Sequence, residues 1–331
     1  MIIERIRSIG KCVTGKTHVK NGTVCQDKIF NIDKNGVHVI TLCDGAGSCA
    51  NSHIGAEITS RVVGEFFANS YNEVLIMLED PNGIELLRKS VIKIVIDALN
   101  KYVTSNHEIN LNDLSCTLLF VVTFDNKYIA GHIGDGVIGV LKSNLLTENI
   151  HVLSCPENGG APNITYFVTD KDAVSRLRIY TGELSSIKGF ILMSDGPEEA
   201  LYGNGQLSDN CKLLFEALNG SLDNEYNEFL KNVLSTKIAS ISYDDLSINI
   251  LFRESIDTSE TDNEELYAEI LDNLSDNQII KLSDYAVLID KSIGKVGLTK
   301  NLEERLTELK RRYDKWWAHF HLLILLKKVY F

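Results

Sequence analysis

Two hydrophobic rhythms alternate along the chain. Short apolar runs come first: Ile2 to Ile9 (IIERIRSI), Lys28 to Ile32, and Val37 to Cys43 (VHVITLC). The last two flank Asp33 to Gly36 (DKNG), and Asn-Gly between extended runs predicts a hairpin. The spacing then becomes helical. Ile54, Ile58, Val62, Phe66 and Phe67 predict a helix over Ile54 to Tyr71. Leu86, Leu87, Val91, Val95, Ala98 and Leu99 predict another over Ile84 to Val103. Extended runs resume at Cys116 to Phe124 and Tyr128 to Ile133, parted by Asp-Asn-Lys. They continue through Val137 to Lys142, Thr165 to Thr169, Leu177 to Thr181 and Phe190 to Met193. Short helices are predicted at Glu198 to Tyr202 and Lys212 to Leu234, then a last strand at Leu246 to Phe252. Hairpins, a helix pair and more hairpins give no βαβ rhythm. The expected class is α+β, with antiparallel sheets covered by helices.

The pattern breaks after Arg253. Residues 254–265 (ESIDTSETDNEE) are polar and acidic and read as a linker. Residues 266–331 read as helical, with Leu302, Leu306 and Leu309 at helical spacing. The expected organisation is a main domain over 1–253, a linker over 254–265 and a helical C-terminal extension over 266–331. Trp316, Trp317 and Phe320 suit a hydrophobic interface with a partner or a second copy. They suit equally a cover for the main domain's own surface. The apolar segment Trp316 to Leu326 is shorter than the roughly 20 residues of a spanning helix, so no transmembrane segment is expected.

Composition narrows the function classes. The formal net charge of −12 repels phosphate backbones and argues against nucleic acid as a partner. The seven cysteines are odd in number, form no CxxC pair and lie partly inside apolar runs. They read as free thiols in a reducing, cytoplasmic compartment rather than as a zinc site. No basic segment leading into an apolar core marks a signal peptide.

The chemistry sits at strand ends. Asp27 precedes the strand Lys28 to Ile32, Asp44 and Asp195 end apolar runs, and Asp244 and Asp245 precede the final strand. One Asp-Gly after a strand is a turn. Several acids gathered at one edge would repel and protonate unless a cation lay among them. Carboxylates are ligands suited to magnesium and manganese.

Five motifs follow in order: GKTHVKNGTVCQD (Gly15 to Asp27), LCDGAGS (Leu42 to Ser48) with GAE (Gly55 to Glu57), SCTLLFVVTFDNKYIAGHIGDG (Ser115 to Gly136), ILMSDG (Ile191 to Gly196) and DDLSINIL (Asp244 to Leu251). In this order the chain resembles the metal-dependent serine/threonine protein phosphatases of type 2C (PPM), in their bacterial-type branch. The resemblance implies a four-layer α-β-β-α sandwich of two antiparallel sheets. It implies two Mn2+ or Mg2+ ions at one end. Asp44 would bridge them, the Gly45 carbonyl would ligate one, Asp195 and Asp244 would complete one shell, and Asp27 would serve the shared side. Asp135 matches an acid that recruits a third ion, although Gly136 stands where the motif usually has Ser.

The implied reaction is hydrolysis of phosphoserine and phosphothreonine by a metal-activated water. The substrate would be a phosphoprotein, such as the product of a serine/threonine kinase. Two family features are missing: Ala46 replaces a His that is a candidate general acid, and Gly22 replaces a phosphate-binding Arg. Lys16, His18 and Lys20 are the candidates to supply those roles, with His18 first. Of Asp244 and Asp245 the motif selects Asp244, leaving Asp245 to cap or to face solvent. The alternative to catalysis is a phosphatase-fold binding module that acts through its helical tail. A hydrolase of the same scaffold with another phosphorylated substrate is a third reading.

Overall fold

A computed structural model describes residues 2–143, 147–157, 165–219 and 221–257. The expected linker and helical extension, with Trp316, Trp317 and Phe320, lie outside the described residues, apart from the first four linker positions. Ile6–Glu254 forms one compact unit.

Two five-stranded antiparallel sheets dominate. One contains β2 (Lys28–Lys34), β3 (Val37–Cys43), β4 (Leu118–Phe124), β5 (Lys127–Ile133) and β8 (Arg178–Glu183), in that order. The other runs β1 (Ile2–Val13), β12 (Leu246–Asp257), β9 (Ile187–Met193), β6 (Val137–Ser143) and β7 (Glu148–Ser154). A small hairpin, β10 (Tyr202–Gly203) with β11 (Gln206–Leu207), stands apart. Helices α2 (Ser52–Leu78) and α3 (Gly83–Ser105) cover the first sheet. Helices α6 (Asn210–Leu218) and α7 (Asp223–Asn232) cover the second. Shorter helices are α1 (Lys16–Asn21), α4 (Ala173–Arg176) and α5 (Glu198–Leu201).

Period-two alternation sorts the side chains into three apolar layers. On β3, Val37, Val39 and Cys43 face the helices while Ile40 and Leu42 face the other sheet. On β9, Ile191 and Met193 face the outer helices while Phe190 and Leu192 face inward. The middle layer is pure sheet-on-sheet packing, with the Phe190 and Tyr128 rings 5.1 Å apart. It also holds polar ties: Asn249 of β12 donates to Asn31 Oδ1 at 2.6 Å and to the Thr41 carbonyl at 2.8 Å, and Ser154 Oγ of β7 lies 2.8 Å from His132 Nδ1 of β5 and accepts the Tyr180 hydroxyl of β8 at 3.1 Å. This is the expected α-β-β-α sandwich.

Turns follow the expected chemistry. Asn35 and Gly36 take φ of 54° and 77°, the left-handed pair that a two-residue hairpin needs. Three expectations need correction. Thr165 to Thr169 is a turn rather than a strand, because the Asp170 carboxylate captures the Phe167 N–H at 2.8 Å. Lys212 to Leu234 is broken into α6 and α7 around Asn219-Gly220. Strand β7 was not expected. Among the described residues no helix is long and apolar enough to cross a membrane. All seven cysteines are free: three are buried, Cys12, Cys25 and Cys49 are half-buried, and Cys155 is exposed.

Phe190→Ala should cost about 3–5 kcal/mol in urea unfolding, the range for emptying a packed aromatic site. A cost below about 1 kcal/mol would mean that the two sheets do not press together there.

Candidate metal centre

Antiparallel pairing brings the acids to one edge. Lys28 pairs with Cys43, Leu118 with Ile133, and Met193 with both Val137 and Ile248. The starts of β2, β4, β6 and β12 therefore lie with the ends of β3, β5 and β9. Asp27, Asp44, Asp135, Asp195 and Asp244 all sit at that edge. Alternation adds a direction. Asp27 continues the inward row of Ile29 and Asn31, and Asp44 continues that of Ile40 and Leu42.

The loop after β3 is tightly fixed. Thr117 accepts the Asp44 N–H on its Oγ1 at 2.9 Å and donates its own N–H to the Asp44 carbonyl at 2.8 Å. Ala46 donates to the Ser115 carbonyl at 3.0 Å, and Gly45 bridges Cys116. A β-carbon at Gly45 would stand 2.8 Å from Ser52 Oγ and 2.9 Å from the Gln26 carbonyl, so packing alone requires glycine there. At Gly136 a β-carbon would lie 2.5 Å from the Met193 carbonyl, so Ser does not fit this backbone.

The acids act on one another. Burial, then Asp27 and Asp195, push Asp44 well above the carboxylate range. Burial and then Asp244 and Asp135 push Asp195 up to about 7. Burial raises Asp27 to about 6, and burial with Asp244 raises Asp135, against a hydroxyl bond from Thr165. Asp27 is 1% exposed; among the described residues neither of its oxygens has a partner in good hydrogen-bond geometry, although the Ser247 and Ser194 hydroxyls approach closely enough to work against its rise. A buried carboxylate so weakly satisfied, facing further carboxylates, has the chemistry to help hold a hard divalent cation. Among the described residues no three His, Cys, Asp or Glu side chains form a finished ligand set. The acids stand as repelling charges that an ion would have to draw together.

Asp245 requires a correction. It is 2% exposed and does not face solvent. It continues the inward row of Leu251, Asn249 and Ser247. Its carboxylate accepts the Gly15 N–H at 2.7 Å and the Gln26 N–H at 2.6 Å. His18 Nδ1 lies 2.9 Å from its Oδ1. Asp244, by contrast, is exposed. Two glycines grip the peptide between them: a β-carbon at Gly15 would collide with the Asp244 carbonyl, and one at Gly196 with the Asp245 carbonyl. Gly22 ends α1 with φ of 70°, a conformation that disfavours an Arg at that place. Sequence reasoning also passed over Gln26, whose side chain donates to Ser52 Oγ at 2.7 Å and the Cys49 carbonyl at 3.0 Å. Its position in CQD, beside Asp27, was the available signal.

An α-β-β-α sandwich with an acidic centre at one end is a defined class of protein. Residues 14–235 match the family model described as protein phosphatase 2C, and the chain belongs to that family. It is similar to serine/threonine-protein phosphatase 3 of Escherichia coli (strain K12), 24% identical over 180 residues, covering 53% of this chain and 67% of that one. The fold is similar to that of the serine/threonine phosphatase Stp1 from Staphylococcus aureus (TM-score 0.53, 15% identity, 75% of this chain and 94% of that one). It is also similar to the catalytic domain of the serine threonine protein phosphatase PstP in complex with two manganese ions (TM-score 0.51, 15% identity, 76% and 100%). The family expected from the motifs is borne out, and with it the enzyme class of protein phosphatase.

Two predictions follow from the geometry. Asp245→Ala strands two buried N–H groups and should cost about 2–4 kcal/mol. Asp244→Ala should change stability by no more than about 0.5 kcal/mol yet weaken Mn2+ binding at least tenfold in a calorimetric titration. The reverse pattern would exchange the two assignments. The second concerns pH. A carboxyl with a raised folded pKa favours the fold at low pH and costs stability as pH rises from its unfolded value through its folded one. The Tm of chelated protein should therefore fall from about pH 5 to about pH 7.5, and the rise in Tm on adding Mn2+ should grow over the same window. Asp44→Asn should flatten both trends; a Mn2+ increment independent of pH would refute the repulsion.

Proposed function

We propose that the chain hydrolyses phosphoserine and phosphothreonine in proteins, at a centre that uses Mn2+ or Mg2+. The observation that carries this reading is the buried Asp27 carboxylate, raised by burial and facing Asp44 at an edge where three further strand-end acids meet. Two bound ions would neutralise phosphate oxygens and bring a water to the pKa of a nucleophile near neutrality. Asp44 would hold both ions. Asp195 and Asp244 would complete one ligand set, the Gly45 carbonyl would ligate one ion, and Asp27 would serve the shared side. Asp135 is the residue for a third ion.

The chain's own residues do the rest. The Thr117 clamp fixes the Asp44 backbone before substrate arrives. The His18 ring lies against Asp245, with Nδ1 2.9 Å from Oδ1 though not in hydrogen-bond geometry, next to the acidic edge. His18 therefore takes the general-acid role that Ala46 cannot fill, giving its proton to the departing serine or threonine oxygen.

Turnover of p-nitrophenyl phosphate and of a phosphothreonine peptide tests both claims. Each should require Mn2+ and should fall by about two orders of magnitude or more in Asp44→Asn and Asp195→Asn. Activity that survives chelation, or that both variants retain, rejects the metal reading. His18→Gln should lower kcat on the peptide far more than on p-nitrophenyl phosphate, whose leaving group needs no proton. Equal losses would remove His18 from that role.

A further inference from the structure

Eight large apolar side chains are exposed among the described residues, and four of them, Val19, Val24, Ile241 and Tyr243, fall in two short segments. Those segments touch: the Thr17 N–H donates to the Tyr243 carbonyl at 3.1 Å. Scattered apolar residues on a surface are ordinary, but a cluster beside a reaction centre marks a contact surface. Tyr243 is 70% exposed and Val19 67%. The patch adjoins the acids directly, since Tyr243 precedes Asp244 and Gly15 packs on the Asp244 backbone.

Charge narrows the occupant. Lys16 Nζ lies 5.4 Å from the Tyr243 ring centre. Val19 and Lys20 stand one helical turn beyond Lys16, on the same face of α1. Both lysines are exposed, and among the described residues neither is in an ion pair. On a chain of net charge −12, and with the exposed Asp244 next to Tyr243, Lys16 and Lys20 are the positive charges that this face offers to a carboxylate. Helix α1 is about 9 Å long, a span that roughly three residues of extended polypeptide cover.

We propose that the face formed by Tyr243, Lys16, Val19 and Lys20 is a docking subsite for polypeptide flanking the phosphorylated residue. It selects segments that carry an aliphatic or aromatic side chain together with Asp or Glu within a few residues of the phosphate. The proposal rests on the protein phosphatase reading, and it assigns substrate choice to α1 and the 241–243 turn.

The test compares phosphothreonine peptides with matched sequences, one flanked by Phe and Glu and one by Ser and Gly. In wild type the first should show a KM about tenfold lower, the scale set by burying one aromatic and one aliphatic side chain. The double variant Val19→Ser with Tyr243→Ser should erase that difference. It should lower the ratio of peptide to p-nitrophenyl phosphate kcat/KM about tenfold, through KM rather than kcat. Lys16→Glu with Lys20→Glu should turn the preference toward Lys-containing flanks. An unchanged ratio in the double variant overturns the proposal, as does an equal loss on both substrates. Fluorescence anisotropy with a labelled phosphonate analogue of the Phe–Glu peptide, in Mn2+, separates the two readings. Binding that weakens in the double variant without any turnover in wild type upholds docking and rejects hydrolysis. Binding that is equal in both proteins rejects docking whatever the turnover.

Discussion

The Asp245 carboxylate is the interaction on which the site depends. It reaches from the first residue before β12 to backbone N–H groups of Gly15 and Gln26, more than two hundred positions earlier in the chain. Those two groups bracket α1 and end one residue before Asp27. A single buried charge thus sets the positions of an acid at each end of the domain. It survives burial because each of its oxygens receives an N–H, with His18 beside one of them. The glycines at 15 and 196 complete the arrangement by letting the Asp244–Asp245 peptide press between two loops. Asp244 and Asp245 are adjacent in sequence and alike in chemistry, yet alternation along the strand divides them into an exposed acid and a buried organiser.

The five acids work in the opposite sense. Asp27, Asp44, Asp135 and Asp195 are raised by burial and by one another, so gathering them costs the fold stability. Such a cluster is tolerated because the sandwich around it is over-determined: three apolar layers, two complete sheets and an inter-sheet Asn249 tie. Stability comes from the layers, and the edge is left free for charge. The division explains why residues that serve chemistry sit at strand ends and not within strands.

Much of this was legible in the chain itself. The Asn35-Gly36 hairpin and the two long helices follow from turn chemistry and periodicity, and five ordered motifs located the acids. The misreadings have physical causes. Thr165 to Thr169 has the composition of a strand, but Asp170 offers the Phe167 N–H a nearer partner. Strand β7 (ENIHVLS) is an edge strand whose Asn149 and His151 face water, so its apolar signal is diluted. Asp245 could have been placed by extending the inward row of Leu251, Asn249 and Ser247 by one step. The motif drew attention to its neighbour instead, because a ligand pattern says nothing about what holds the ligand in place. The exposed patch on α1 had no sequence signal, since single valines and a tyrosine between polar residues show no period.

The span between the residues that Asp245 joins also bears on how the protein is made. Its acids come from positions 27 through 244, and the carboxylate that aligns the first of them is encoded just before the last strand of the sandwich. A ribosome therefore releases most of the domain before an organised centre can exist, and no amino-terminal fragment holds one. Gathering of the acids is coupled to completion of the sandwich, so a chain cut before Asp245 lacks the carboxylate that ties Gly15 and Gln26 into place.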